Sequence, residues 1–297
     1  MRISDALATQ RPFFSFEFFP PRDDEGSQRL FATIAALRPL RPAFVSITYG
    51  AGGSTRARTV ALAKEIQQRI GLTVVAHVTC IGANRSELRS LFDDLERAGI
   101  ENVLALRGDP PPGATFEPAP GGFAHASDLI AMLRRNYGFC IGAACYPEKH
   151  PEAASPEDDL EHLKVKVAAG ADFLVSQLLF DNGRFFEFER GMRAAGIAVP
   201  VLPGLMPITN FAQIERFVAI CGATIPPKLR VEMELRKGDD KAVEDLGVAY
   251  ASMQALELLR AGAPGLHFYT LNRSPATRAI VSSLLAASAW RPAFSSD

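Results

Sequence analysis

FFSFEFFPPR, residues 13–22, sets one carboxylate among five phenylalanines and stops at two prolines. Pro20 and Pro21 would break a helix, and so short a run of aromatics reads as a strand. Side chains alternate along a strand, so Phe14, Phe16 and Phe18 take one face and Phe13, Ser15, Glu17 and Phe19 the other. With both faces covered, Glu17 is a buried or half-buried acid that needs a partner or a chemical task. Similar runs recur as FVSITYG from Phe44, VVAHVTC from Val74, NVLALRG from Asn102 and CIGAACYP from Cys140. FLVSQLLF from Phe173, VPVLPGLM from Val199 and GLHFYTLN from Gly265 complete the set. The first four begin 31, 30 and 28 residues apart, room for one strand and one helix in each unit.

Helical patterns fill the intervals. TRARTVALAKEIQQRIG ends at Gly71, and NRSELRSLFDDLERAG opens on Asn84 and closes on Gly99. SPEDDLEHLKVKVAAG has Ser155 as N-cap, Pro156 at the first helical position, acids in the first turn and Gly170 at its end. Strands alternating with helices indicate a parallel sheet covered by helices, and eight such units match the α/β fold of the (β/α)8 TIM barrel. An open doubly wound sheet is the rival, but no Gly-x-Gly-x-x-Gly follows any strand. Residues 1–297 therefore read as a single barrel domain with a short N-terminal extension. The stretch from Met206 to Gly265 exceeds one unit and contains Pro226-Pro227, so two helices and an irregular link are expected there.

The composition, 47% hydrophobic and 22% charged, is that of a globular chain, and a formal charge of −1 leaves no basic footprint for nucleic acid or an anionic membrane. Cys80, Cys140, Cys145 and Cys221 form no C-x-x-C pair. MRISDALATQR lacks the apolar core of a signal peptide, and no apolar run is long enough to span a bilayer. Free thiols in a reducing cytoplasm are the expectation.

Barrel enzymes gather their chemistry at the C-terminal ends of the strands. Those ends carry Glu17, Thr48 and Tyr49, His77, Arg107 with Asp109, Tyr146 with Glu148 and His150, Gln177, and Tyr269 with Asn272 and Arg273. Wet strand ends collect polar residues in any barrel, but so many beside an acid in an aromatic run favour a site. The Gly-rich turn after Tyr49 resembles a phosphate cradle, although such turns also precede helices without phosphate. His77 and Cys80 supply only two metal ligands, too few for a site. Asp159, His162 and Lys166 share one helix face, where a solvated ion pair is the simplest reading. A Schiff-base lyase would need a lysine inside a strand, and none of the eight runs has one. The residue pattern reaches a barrel enzyme with a carboxylate acid or base and names neither substrate nor cofactor.

At FSFEFFPPR, FVSITYGAGGSTR, AHVTCIG, NVLALRGDPP, AACYPEKHPEA, VSQLLFD, PGLMPITNF and HFYTLNRS the sequence closely resembles the 5,10-methylenetetrahydrofolate reductase family in its short bacterial form. The resemblance runs in order from about Arg11 to about Leu285. It implies a cytoplasmic barrel holding FAD, reduced by NADH or NADPH, that converts 5,10-methylenetetrahydrofolate to 5-methyltetrahydrofolate for methionine biosynthesis. It also implies a homo-oligomer, and no regulatory domain, since the chain ends soon after the barrel.

The family roles fall on numbered residues. The resemblance makes Glu17 the general acid, protonating N10 so that the methylene bridge opens to an N5 iminium. Asp109 matches an aspartate that contacts the pterin near the flavin and favours the cationic iminium. Gln177, Gln213, Phe217, Tyr269 and Arg273 match the substrate pocket, and Thr48 a position near nicotinamide and flavin. FAD is implied at Tyr49, Ala51, His77, Arg107, Gly108, Ala126, Tyr146, His150, Ala153, Asp159, His162 and Lys166. One pocket used in turn by folate and NAD(P)H implies ping-pong kinetics. His125, His162, Val165 and Leu178-Leu179 depart from the commoner tyrosine, asparagine, arginine and aromatics, which touches cofactor affinity and the pocket wall rather than the acid. A folate or flavin storage module would have no use for Glu17.

Overall fold

The computed structural model of the chain describes residues 1–9, 12–48, 56–110 and 113–287. Every one of the eight runs is a strand: β1 Phe13–Phe18, β2 Phe44–Ile47, β3 Val74–Thr79, β4 Asn102–Leu106, β5 Cys140–Cys145, β6 Phe173–Leu178, β7 Val201–Leu205 and β8 Gly265–Tyr269. All neighbours are parallel, and β8 pairs back onto β1 to close the barrel. The helices are α1 Ile3–Ala8, α2 Asp24–Leu37, α3 Arg56–Glu65, α4 Arg85–Arg97, α5 Ala126–Asn136, α6 Pro156–Ala168 and α7 Asn182–Ala194. They continue as α8 Phe211–Cys221, α9 Pro227–Glu234, α10 Asp240–Arg260 and α11 Pro275–Ala286.

The punctuation residues act where local chemistry puts them. Asn84 and Glu87 form a reciprocal capping box at α4, and the Ser155 hydroxyl accepts from the Asp158 N–H at α6. Between β7 and β8 the structure differs from expectation, with three helices where two and a link were anticipated. Pro226 is the N-cap of α9 and Pro227 its first residue, a position whose N–H has no helical partner anyway. The double proline starts a helix instead of interrupting the chain.

The outward faces of the strands, including Phe14, Phe16 and Phe18, join the main apolar layer against the helices. Inside the barrel a second layer, built from Phe44, Val75, Leu104, Phe173 and Leu202, fills the lower lumen. The helix α1 closes that end: Ile3 is fully buried there, its N–H donates to Asn102 Oδ1 at 2.9 Å, and Asn102 Nδ2 donates to Met1 O at 3.0 Å. Gly142 is required in this lumen, because a Cβ would stand 2.6 Å from the Phe173 ring. A solid lower lumen confines any ligand to the opposite end, where the strands finish in polar residues. No described helix is long and apolar enough to cross a membrane.

Candidate active site

Glu17 stands at the upper limit of the lumen, its side chain 9% exposed. In the sheet it lies opposite Ser46 on β2 and Tyr269 on β8. Two imidazoles bracket its carboxylate: His267 Nε2 is 3.4 Å from Oε2 and His77 Nε2 is 3.5 Å from the same atom. Ser15, two residues earlier on the same face, places its hydroxyl 2.8 Å from His267 Nδ1 and donates to Leu266 O at 3.3 Å. Ser15 and Glu17 thus hold the two ring nitrogens of His267 from the same face of β1.

Burial holds His77 down to about 4, with the charge of Glu17 opposing and His267 adding to the effect. It is therefore neutral near pH 7, and its Nε2 has no hydrogen-bond partner among the described residues. Unfolding exposes an ordinary imidazole that takes up a proton below about pH 6.5. Between that pH and about 4 the unfolded chain binds the extra proton, so His77 contributes stability above the window that is lost as pH falls through it. We expect His77→Gln to flatten the decline in urea-unfolding free energy between pH 6.5 and 4.5. An unchanged slope would exclude His77 as its source.

The Tyr269 hydroxyl donates to Ser176 O at 2.6 Å, and burial pushes its pKa well above the usual phenol range. A register shift between Val175 and Leu178 interrupts the β6–β7 ladder at this point, a device that frees backbone groups beside sites. Gly204 leaves room for the ring, since a Cβ there would be 2.6 Å from Tyr269 Cε2. After β8, Leu271 and Asn272 both adopt positive φ, of 52° and 57°. The Asn272 amide accepts from Phe19 N at 2.8 Å and donates to Phe19 O at 2.9 Å, while Thr270 Oγ1 donates to Glu17 O at 2.6 Å. This turn clamps the β1 end and sets the height of Glu17.

Cavities at this end gather most of the expected site residues. Across the mouth from β1, a cleft of about 390 Å³ is lined by Arg107, Gly108, Asp109, Ala126, Tyr146, His150, Ala153, Asp159, His162 and Lys166. These expected cofactor positions are brought together from β4, β5, the loops after them, α5 and α6. The shared helix face of Asp159, His162 and Lys166 is thus a cleft wall and not simply a solvated ion pair. His125 and Val165 line it too. Lys166 Nζ donates to Ala144 O at 2.6 Å, and burial lowers its pKa against the opposing influence of Cys145 and Asp159. Asp159 accepts from His150 N at 3.1 Å, holding the β5–α6 loop to the helix.

The second cavity, about 580 Å³, is lined by Gln213, Tyr269 and Arg273 together with Asn210, Arg216, Lys241 and Glu244. Gln177 stands apart in a small hollow with Tyr146 and Cys221, its Oε1 accepting from Leu178 N at 2.8 Å. Phe217 packs against the apolar cluster formed by Phe211, Ile214 and Met233 and lines neither cavity. Thr48 is half-buried at the end of β2, and Tyr49 and Ala51 lie outside the described residues. The thiol of Cys80 donates to Leu106 O at 3.3 Å and belongs to the outer apolar layer, pushed up to about 12 by burial.

Ser15, His267 and Ser176 were not singled out by sequence reasoning. Ser15-Phe-Glu17 and His267-Phe-Tyr269 each put polar residues two apart on an inward face, and that period-two signal was available. What it lacks is the pairing of β1 with β8, which brings the two faces together.

A family model for methylenetetrahydrofolate reductase matches residues 2–285. The 5,10-methylenetetrahydrofolate reductase of Escherichia coli strain K12 is 41% identical over 271 residues, covering 91% of this chain and 90% of that protein. Methylenetetrahydrofolate reductase (NADH) 1 of Arabidopsis thaliana is 40% identical over 283 residues, 91% of this chain but 48% of the plant protein. The chain thus spans about half the length of such plant relatives. Among solved structures, a Clostridium thermocellum protein that binds two copies of 5-methyl-5,6,7,8-tetrahydrofolic acid shares the fold, with a TM-score of 0.64 and 13% identity over 95% of this chain and 97% of that one. A match along nearly the whole chain, and nearly the whole of a bacterial relative, leaves one conclusion: the chain belongs to the methylenetetrahydrofolate reductase family.

Proposed function

We propose that the protein reduces 5,10-methylenetetrahydrofolate to 5-methyltetrahydrofolate, with FAD as cofactor and NADH or NADPH as donor. The observation that carries this reading is Glu17, a carboxyl buried at the barrel mouth and bracketed by two imidazoles next to a polar cavity.

The residues present fit a flavin dinucleotide. The cleft offers the alanines 105, 126, 144 and 153 and the Tyr146 ring as an apolar wall. Arg107 and Lys166 are cations for a diphosphate, and the α5 N-terminus opens onto the same space. His77 Nε2, buried and without a hydrogen-bond partner among the described residues, is a polar group suited to a ligand atom above the lumen. When bound, FAD supplies hydride transfer from the nicotinamide to the folate.

The chain's own task is the proton. Opening the methylene bridge requires protonation of N10, and Glu17 Oε2 is the donor. His267, oriented by Ser15, stands 3.4 Å from Glu17 Oε2 and fixes the position of that carboxyl beside the substrate. Asp109, exposed at the cleft mouth, favours a cationic iminium over the neutral substrate. Gln213, Tyr269 and Arg273 hold the folate, with Gln177 and Phe217 completing the pocket once their side chains turn to the ligand. Donor and acceptor using one space in turn gives ping-pong kinetics.

The test is a visible spectrum under anaerobic conditions, adding NAD(P)H and then 5,10-methylenetetrahydrofolate. Bleaching of a flavin band and its return on folate addition are expected. Bleaching without return would remove folate as the acceptor, and failure to bind added FAD would remove the flavin.

A further inference from the structure

The cleft that receives the cofactor in the proposed function has an adverse charge balance. Among its described lining residues, Arg107 and Lys166 are the lysine and arginine cations, set against Asp109, Glu152 and Asp159. Both cations are already engaged. Lys166 is bound to the Ala144 carbonyl, and Arg107 meets Glu152 as a two-pronged pair, Nη1 to Oε2 at 2.5 Å and Nη2 to Oε1 at 2.7 Å. A diphosphate brings further negative charge to a lining whose acids outnumber its cations, and on Arg107 Glu152 already holds both terminal nitrogens while Nε donates to Gly108 O at 3.3 Å.

The two partners differ in freedom. The Arg107 side chain is 20% exposed and lies over the Phe116 ring at 4.8 Å, whereas the Glu152 carboxylate is 55% exposed. The Glu152 backbone N–H donates to His150 Nδ1 at 3.1 Å, so the carboxylate can swing to solvent while its loop stays in place. Solvent reaches the pair from the Glu152 side and screens it there, so a diphosphate oxygen can take the place of the carboxylate. We infer that Glu152 is a built-in competitor for Arg107, which an anionic ligand must displace, and that it thereby sets how strongly the cleft favours diphosphate-bearing flavins over uncharged ones. This rests on the cofactor assignment above, and the experiment separates the two.

Full-length apo-protein and its Glu152→Gln variant are titrated with FAD and with riboflavin, following flavin fluorescence, after circular dichroism confirms equal folding. Glutamine keeps the size of the side chain and removes its charge. FAD is expected to bind the variant about fivefold tighter, with riboflavin within about twofold of wild type. Unchanged or weaker FAD binding, or an equal gain for riboflavin, would overturn the competitor role. If wild type binds no flavin at all, the cofactor assignment fails, and calorimetry with inorganic pyrophosphate decides the inference alone. Tighter pyrophosphate binding by the variant would sustain it; equal binding, or none by either protein, would end it.

Discussion

Glu17→Gln is expected to leave flavin reduction by NAD(P)H within about twofold of wild type while slowing 5,10-methylenetetrahydrofolate reduction by about 10²–10⁴-fold, the usual range for a positioned acid. Glutamine preserves the length and size of the side chain above a filled lower lumen, so the fold should survive. What it cannot do is give a proton to N10. Hydride donation from a nicotinamide needs no proton from this position, so the loss is confined to one half of the cycle. Stopped-flow measurement of the two half-reactions separates them. A variant that reduces the folate at the wild-type rate would show that another group opens the bridge.

Lys166→Met is expected to weaken FAD binding by about a hundredfold, in line with the roughly 2–5 kcal/mol cost of removing one partner from a buried charge contact. Methionine keeps most of the apolar stem and removes the ammonium, whose nitrogen lies 5.9 Å from the Tyr146 ring centroid, so loss of charge is the main change. The wild-type affinity should also depend on pH. Burial lowers the Lys166 pKa, while Asp159 and Cys145 act the other way, so the ammonium is lost at a lower pH than an ordinary lysine would lose it. The charge is present below that pKa, and FAD affinity therefore falls as pH rises towards it. Fluorescence titration between pH 7 and about 10 should show the decline in wild type and a flatter profile in the variant. Equal affinity in both proteins would place the diphosphate elsewhere.

The cleft beside α6 illustrates how far a single helix can be read. Ser155, Pro156 and the first-turn acids define where α6 begins, and the helical period then puts Asp159, His162 and Lys166 on one face. Nothing in that segment says whether the face meets solvent or a cleft, because the answer depends on the β4 and β5 loops that pack opposite it. Glu152 was missed for the same reason: in the sequence it is one acid in a loop, and its role follows from Arg107, 45 residues away. The double proline at 226–227 was legible as punctuation but ambiguous in sense, since proline both ends and begins helices.

The barrel itself followed from local order. Alternating faces, caps and the recurring strand interval act over a few residues, so eight strands and the shared face of Ser15 and Glu17 could be read directly. The proton site could not. His267 lies 250 residues from Glu17, and it reaches the carboxyl because β8 closes against β1 in one register. A shift of one residue would send every inward side chain outward. Barrel closure, the register shift that leaves Ser176 O to Tyr269 and the clamp of Asn272 on Phe19 join distant segments. They decide which groups surround the acid, and no short-range pattern carries them.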